Sequence, residues 1–227
     1  MITTVVFDLD DTLYDEIDYC RSGFASVAEF LANLPGTPSS EHIFDVFWTE
    51  FTAGNRTETF NTSLERLGIT VETKLIDDLV KVYRNHVPKI TLPADSREVL
   101  EQLSGKYTLA MLTDGFLPGQ RLKIQALGIE GYFKCIIYTE ELGRECWKPS
   151  PAGFEKLIRL LDVKPQNIAY VADNEKKDFI APNKLGFLTV QLIRPARIHT
   201  DSHPETGAAA QYVIHRISRL PLLLDKL

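Results

Sequence analysis

The sequence is poor in cysteine, contains no long apolar run and has no excess of basic residues. Its three cysteines among 227 residues form no C-x-x-C pair, which is typical of a protein of the reducing cytoplasm. No stretch approaches the roughly 20 apolar residues of a membrane-spanning helix. With 25 Lys and Arg against 31 Asp and Glu, the net charge is -6. This balance argues against a nucleic-acid-binding protein or one attracted to anionic membranes. We expect a globular cytoplasmic protein.

Alternating strands and helices occupy most of the chain, apart from one purely helical stretch. The apolar, β-branched run at 5–9 predicts a strand buried on both faces. From 16 to about 92, apolar residues recur at spacings of three and four, which predicts helices. Beyond Pro93, strands and helices alternate with short links, as in βαβ units, and 194–210 is expected to be a loop. The sequence therefore predicts an α/β protein. We expect residues 1–14 and 93–227 to form a doubly wound parallel sheet, and residues 15–92 to form a helical domain inserted after the first strand.

Polar residues stand where four of the predicted strands end. They are Asp8 and Asp10 after the first strand, Thr113 after the second, Lys148 after the third, and Asp173 and Asp178 after the fourth. Ligands of such sheets bind at the carboxyl ends of the strands, so we expect these side chains in one crevice. Converging carboxylates repel each other unless a cation lies between them, and an all-oxygen set favours Mg²⁺ over Zn²⁺. Carboxylates, Mg²⁺, a lysine and a hydroxyl are the groups that phosphoryl transfer requires.

These residues resemble the four motifs of the haloacid dehalogenase-like (HAD) superfamily. The run Asp8-Leu9-Asp10-Asp11-Thr12 is similar to the D-x-D-x-T opening of that family. Thr113 ends a hydrophobic strand as the second motif does, Lys148-Pro149 resembles the third motif, and Asp173 to Asp178 resembles the fourth. A helical insertion directly after the first motif is similar to the C1-cap members of the family. The resemblance covers nearly the whole chain, in the right order.

The resemblance implies a phosphatase mechanism and gives each residue a role. Asp8 would be the nucleophile that forms an aspartyl-phosphate, and Asp10 would be the general acid and then the general base. Mg²⁺ would be held by Asp8, the backbone carbonyl of Asp10 and Asp173, with Asp178 helping directly or through Lys148. The phosphoryl oxygens would be bound by Thr113, by the lysine of the third motif and by the N–H groups of Asp114 and Gly115.

Among enzymes, a phosphomutase or another HAD-type phosphotransferase stays open beside a phosphatase acting on a small phosphorylated metabolite. A phosphomutase would share all of these core residues. A phosphonate-cleaving enzyme would need a Schiff-base lysine in the inserted domain, where Lys74, Lys81 and Lys89 are available without a distinguishing context. A non-catalytic metabolite-binding protein is disfavoured because the nucleophile, the second Asp and the metal ligand are all present. Sugar phosphates, nucleotides and phosphoglycolate are all open as substrates, and so is the oligomeric state. No nucleic acid or membrane is expected as a partner.

Two positions depart from the family pattern without touching the expected chemistry. Ala172 stands where many members have glycine before the Asp of the fourth motif. Pro182 falls in the helix predicted over 177–185, which it should bend or delay. In the inserted domain, an aromatic stripe at helical spacing predicts packing in the domain core; it comprises Phe44, Phe47, Trp48 and Phe51.

Overall fold

A computed structural model describes residues 1–200 and 207–227; part of the loop expected over 194–210 therefore lies outside the described residues. The chain forms two compact units, one of Met1–Ile17 with Thr91–Leu227 and one of Asp18–Ile90. The sequence predicts the domain boundaries at 14/15 and 92/93. Within the described residues, no helix has both the length and the apolar character needed to cross a membrane.

The strands and helices follow each other in the order predicted. The strands are β1 (Thr4–Phe7), β2 (Thr108–Thr113), β3 (Cys135–Tyr138), β4 (Ile168–Ala172), β5 (Leu188–Leu192) and β6 (Tyr212–Ile214). The helices are α1 (Glu16–Ala32), α2 (Ser40–Thr52), α3 (Thr59–Arg66), α4 (Thr73–Asn85), α5 (Ala94–Ser104), α6 (Gly119–Leu127), α7 (Ala152–Leu161), α8 (Ile180–Leu185) and α9 (Leu220–Leu224).

The first unit is a parallel sheet with helices packed against it. Its strand order is β3-β2-β1-β4-β5-β6, and every pairing between neighbours is parallel. β1 and β4 are buried along their whole length, as their continuous apolar runs predict. α7 packs on β2 and β3, α8 on β5, and α5 on β2 and α9. The predicted doubly wound parallel sheet is confirmed.

The largest differences from the predicted helices are at the starts of α1 and α8. α1 begins at Glu16, five residues before the first helix that the apolar spacing predicts, which starts at Arg21. α8 begins at Ile180 and not at 177, because the preceding residues close a turn in which the Asp178 backbone N–H donates to the Asn174 carbonyl at 2.9 Å. Pro182 then lies in the first turn of α8, where its missing N–H costs no helical hydrogen bond.

The helical unit packs around aromatic side chains. Phe24 of α1 lies at the centre, and its ring centroid is 5.2–6.1 Å from those of Phe47, Phe51, Phe60 and Tyr83. α1 and α4 approach closely at Gly23, where a Cβ would lie 2.5 Å from the Tyr83 ring. Phe47 and Phe51 of the predicted stripe are buried, so their expected place in this core is confirmed.

Candidate active site

Three neighbouring strands bring the predicted site residues to one edge of the sheet. The ends of β1, β2 and β4 lie in register, so Asp8, Thr113 and Asp173 lie together at the carboxyl edge. The chain passes from β1 to β2 on one side and reaches β4 on the other. The strand order therefore reverses beside β1. The carboxyl edge at such a topological switch point is where parallel sheets of this kind bind their ligands.

Three buried carboxylates meet at the switch point. Asp8, Asp173 and Asp178 are buried, and each offers an oxygen atom within 4.8 Å of an oxygen atom of both others. The buried Lys148 places Nζ 2.8 Å from Oδ1 of Asp8 and 2.8 Å from Oδ1 of Asp178, and it donates to the hydroxyl of Tyr170 at 3.1 Å. Nζ of Lys177 lies 3.7 Å from the same Oδ1 of Asp178. Two ammonium groups therefore face three carboxyl groups, which leaves an excess of negative charge when all three are ionised.

Burial and the neighbouring negative charges raise the pKa values of two of these carboxyl groups, those of Asp8 and Asp173. Burial, reinforced by the charges of Asp178 and Asp8, raises the pKa of Asp173 to about 9. Burial also raises the pKa of Asp8 to about 6, although the ammonium of Lys148 opposes the shift. Oδ2 of Asp173 is buried and has no hydrogen-bond partner within residues 1–200 and 207–227. An unpartnered carboxylate oxygen in a cluster of oxygen ligands fits a hard divalent cation such as Mg²⁺.

The side chain of Asp10 lies in a separate arrangement. Lys123 donates to both of its carboxylate oxygens, at 2.8 and 2.9 Å, and Gln120 donates to Oδ2 at 2.9 Å. The hydroxyl of Tyr14 donates to Oδ1. Burial alone would raise the pKa of Asp10, but the charge and hydrogen bonds of Lys123, with those of Tyr14 and Gln120, hold it below its ordinary value. Asp10 is thus kept as a carboxylate.

The loop after β2 has a backbone that requires glycine. Thr113 is buried at the strand end, where its hydroxyl accepts from Nε2 of Gln120 at 2.7 Å. Gly115 has φ +139, a value that L side chains rarely adopt. A Cβ at this position would lie 2.7 Å from Cδ of Gln120. The loop can therefore pass over α6 because position 115 has no side chain.

The side chain of Asp114 ties this loop to its neighbours. Its oxygens accept from the backbone N–H of Lys148 at 3.2 Å, from the hydroxyl of Thr139 at 2.8 Å and from Nζ of Lys177 at 3.1 Å. The family resemblance implies a role for the backbone N–H of Asp114 but none for its side chain. Its carboxylate joins the loops after β2, β3 and β4, which carry the residues matched to motifs two, three and four.

A model of one protein family matches most of the chain. The haloacid dehalogenase-like hydrolase family matches residues 2–186. The chain belongs to this family.

Curated relatives of this HAD-like hydrolase are phosphatases. It is 31% identical over 202 residues to glyceraldehyde 3-phosphate phosphatase of Methanopyrus kandleri, covering 86% of this chain and 85% of that one. It is 25% identical over 241 residues to human N-acylneuraminate-9-phosphatase, covering 100% and 95% of the two chains. A solved HAD-hydrolase of Bacillus subtilis bound to magnesium superimposes with a TM-score of 0.67 at 20% identity, covering 99% of each chain, which shows a common fold. The chain is an enzyme, a HAD-like hydrolase whose relatives are phosphoric monoester hydrolases.

The structure of this HAD-like hydrolase also shows polar residues that the sequence reasoning missed. Gln120 and Lys123 were overlooked, although they share a spacing of three and four with the buried apolar residues of α6, Ile124 and Leu127. Two polar residues within a buried stripe are a signal that could have identified them. Tyr170 is the one residue of the apolar run of β4 that carries a hydroxyl group, and this polar group in a buried strand could have identified it in the same way. The sequence around Lys177 contains no feature that distinguishes this lysine from a surface residue.

Proposed function

We propose that this protein is a Mg²⁺-dependent phosphatase that hydrolyses a small phosphorylated metabolite through an aspartyl-phosphate on Asp8. The observation that carries the proposal is the buried cluster of Asp8, Asp173 and Asp178 beside the ammonium of Lys148. The phosphatase relatives support it independently of this geometry.

The proposed metal ligands are the oxygens already gathered at the switch point. Asp8, Asp173 and the backbone carbonyl of Asp10 would hold the ion, and Asp178 would help directly or through Lys148. The raised pKa of Asp173 and its unpartnered oxygen support this assignment. When bound, Mg²⁺ neutralises charge on the phosphoryl oxygens.

Asp8 and Asp10 divide the proposed chemistry into two displacements. A carboxylate oxygen of Asp8 attacks phosphorus, and the bond from phosphorus to the ester oxygen breaks while Asp10 gives that oxygen a proton. Asp10 then takes a proton from water, whose oxygen attacks phosphorus; inorganic phosphate leaves and Asp8 is regenerated. The lowered pKa of Asp10 supports the second step, which needs its carboxylate form. An anionic phosphoryl group nearby raises this pKa by repulsion, which favours the protonated form before the first step.

We assign phosphate binding to groups that surround Asp8. They are the hydroxyl of Thr113, the backbone N–H groups of Asp114 and Gly115, and the ammonium of Lys148. The opposing carboxylates of Asp178 and Asp8 raise the pKa of Lys148 well above its ordinary value although burial alone would lower it, so it is cationic at neutral pH.

The substrate class is proposed from the relatives. Glyceraldehyde 3-phosphate and N-acylneuraminate 9-phosphate, which their names specify, are both hydroxylated carbonyl compounds with phosphate on a terminal carbon. We propose a substrate of this class. Its leaving group is a primary alcohol, a poor leaving group that needs protonation, and Asp10 supplies that proton.

The remaining assignments follow the family resemblance and the composition. We propose that the helical domain of residues 15–92 is a C1-type cap domain that selects the leaving group. We also propose that the protein acts in the cytoplasm on small metabolites, without a nucleic-acid or membrane partner. The net charge of -6 supports this, as do Cys20, Cys135 and Cys146, which form no disulfide bond.

The test measures phosphate release from an aryl phosphate and from glyceraldehyde 3-phosphate, with Mg²⁺ and with a chelator. We expect release that requires Mg²⁺ and is lost in Asp8→Asn but kept in Asp225→Asn, a matched control at an exposed site. Acid-quenched enzyme should carry one phosphoryl group on the peptide that contains Asp8. Activity retained in Asp8→Asn would contradict the mechanism, and transfer of phosphate back to the substrate in place of water would identify a mutase.

A further inference from the structure

Two residues one turn apart on α6 surround the carboxylate of Asp10. Nζ of Lys123 reaches both carboxylate oxygens, at 2.8 and 2.9 Å, and Nε2 of Gln120 reaches Oδ2 at 2.9 Å. Lys123 is 4% exposed and Gln120 is 3% exposed. Burying an ammonium is costly unless an opposite charge pairs with it. The place of Lys123 on the buried face of α6 is therefore explained by Asp10.

Gln120 also contacts the loop that follows β2. The same Nε2 that reaches Asp10 donates to the hydroxyl of Thr113 at 2.7 Å. Its side chain fills the space beneath Gly115. One amide thus contacts both the proposed acid and base and the proposed phosphate-binding loop.

We propose that Gln120 and Lys123 are positioning residues. They orient the Asp10 carboxyl group for proton transfer to the ester oxygen, and Gln120 fixes its position relative to the hydroxyl of Thr113. The inference rests on the proposed function, because it takes Asp10 as the general acid. A proton donor is effective only within hydrogen-bond reach of the atom that it protonates. Small displacements of a reacting group from this geometry cost large factors in rate.

Two substrates with different leaving groups distinguish a defect in the positioning of Asp10 from a general loss of structure. A primary alcohol needs the proton of Asp10 and a nitrophenol does not. We expect Lys123→Met and Gln120→Met to slow release of the alcohol in the first turnover by about 10–100-fold, and release of the nitrophenol by less than about 3-fold. Gln120→Met should also raise KM, because Thr113 loses a contact, whereas Lys123→Met should leave KM nearly unchanged.

Three further variants make the experiment specific. Lys123→Arg keeps the charge and should recover most of the rate on the alkyl phosphate. Gln125→Met is the matched control, because Gln125 is exposed on the same helix, and it should behave as the wild type. In an Asp10→Asn background, Lys123→Met should change the rate by less than about 2-fold, since a residue that acts through Asp10 has no further effect once that carboxyl group is gone.

Each outcome decides the inference. Equal losses on the two substrates, or multiplicative losses for Lys123→Met and Asp10→Asn, would assign a merely structural role and overturn it. If Lys123→Met does not fold, Gln120→Met and Lys123→Arg give the same decision. A wild type without turnover on either substrate would overturn the proposed function together with this inference, whereas an active wild type whose variants lack the leaving-group effect overturns the inference alone.

Discussion

Replacing Asp173 by asparagine should stabilise the metal-free protein. At pH 7 the wild-type carboxyl group is ionised in the unfolded chain, where its pKa is near 3.8, but folding pushes it toward the protonated form because its pKa rises to about 9. At about 1.4 kcal/mol per pKa unit, the interval from 3.8 to pH 7 corresponds to a cost of about 4 kcal/mol. An asparagine carries no charge, but its amide group is itself buried without a full set of partners, at a cost of about 1–3 kcal/mol. We expect a net gain of about 2 kcal/mol in chelator, or about 4–8 °C in Tm.

The pH and Mg²⁺ dependence of this effect follow from the same shift. Because the folded pKa of Asp173 is raised, its contribution to stability is complete below pH 4 and is lost as pH rises through about 9. The advantage of Asp173→Asn in chelator should therefore vanish near about pH 5, where the cost of the raised pKa equals that of the buried amide, and it should grow toward pH 9. Mg²⁺ at 100 times its Kd should stabilise the wild type by about 2.7 kcal/mol, and the variant by much less.

The assay is thermal unfolding of both proteins in chelator and in Mg²⁺, across pH 4–9, with Asp225→Asn as the matched control. The order of the two Tm values should reverse between chelator and Mg²⁺ at neutral pH. The reasoning would be refuted if Asp173→Asn were less stable than the wild type in chelator at pH 7. Equal stabilisation of both proteins by Mg²⁺ would show that Asp173 is not a ligand.

Three other changes test particular contacts. Lys148→Met removes the ammonium that lies nearest to the buried carboxylates of Asp8 and Asp178 and should lower the free energy of unfolding in chelator at pH 7 by about 3 kcal/mol; a change under about 1 kcal/mol in urea titration would contradict this. Gly115→Ala places a Cβ against the side chain of Gln120 at a backbone angle that disfavours it, and should cost about 1–3 kcal/mol and raise KM for phosphate esters. An unchanged KM would show that the loop does not bind phosphate. Phe47→Ala removes a fully buried ring from the core of the helical unit and should lower the free energy of unfolding by about 3–5 kcal/mol in urea titration. A loss below about 1 kcal/mol would mean that neighbouring side chains move into the cavity.

The parallel sheet could be predicted from the sequence because its signals are local. The runs that form β1 and β4 are apolar and rich in β-branched residues, and turn residues bound them, so each strand is specified by its own few residues. Asp8, Thr113 and Asp173 could be assigned to a common edge because parallel strands bring their carboxyl ends together. The start of α8 was less predictable, since the turn that Asp178 makes with Asn174 competes with the first turn of the helix.

What the sequence determined by itself is the order of strands and helices and the residue types at the strand ends, because period and turn chemistry act over a few neighbouring residues. Only the tertiary structure showed that Lys123 and Gln120 reach Asp10, across 113 and 110 positions of the chain. The same holds for the carboxylate of Asp114, which accepts from Lys177 and from the backbone of Lys148. These contacts depend on how α6 and the loops pack at the sheet edge, and the energy of a buried charge depends on which partner that packing supplies.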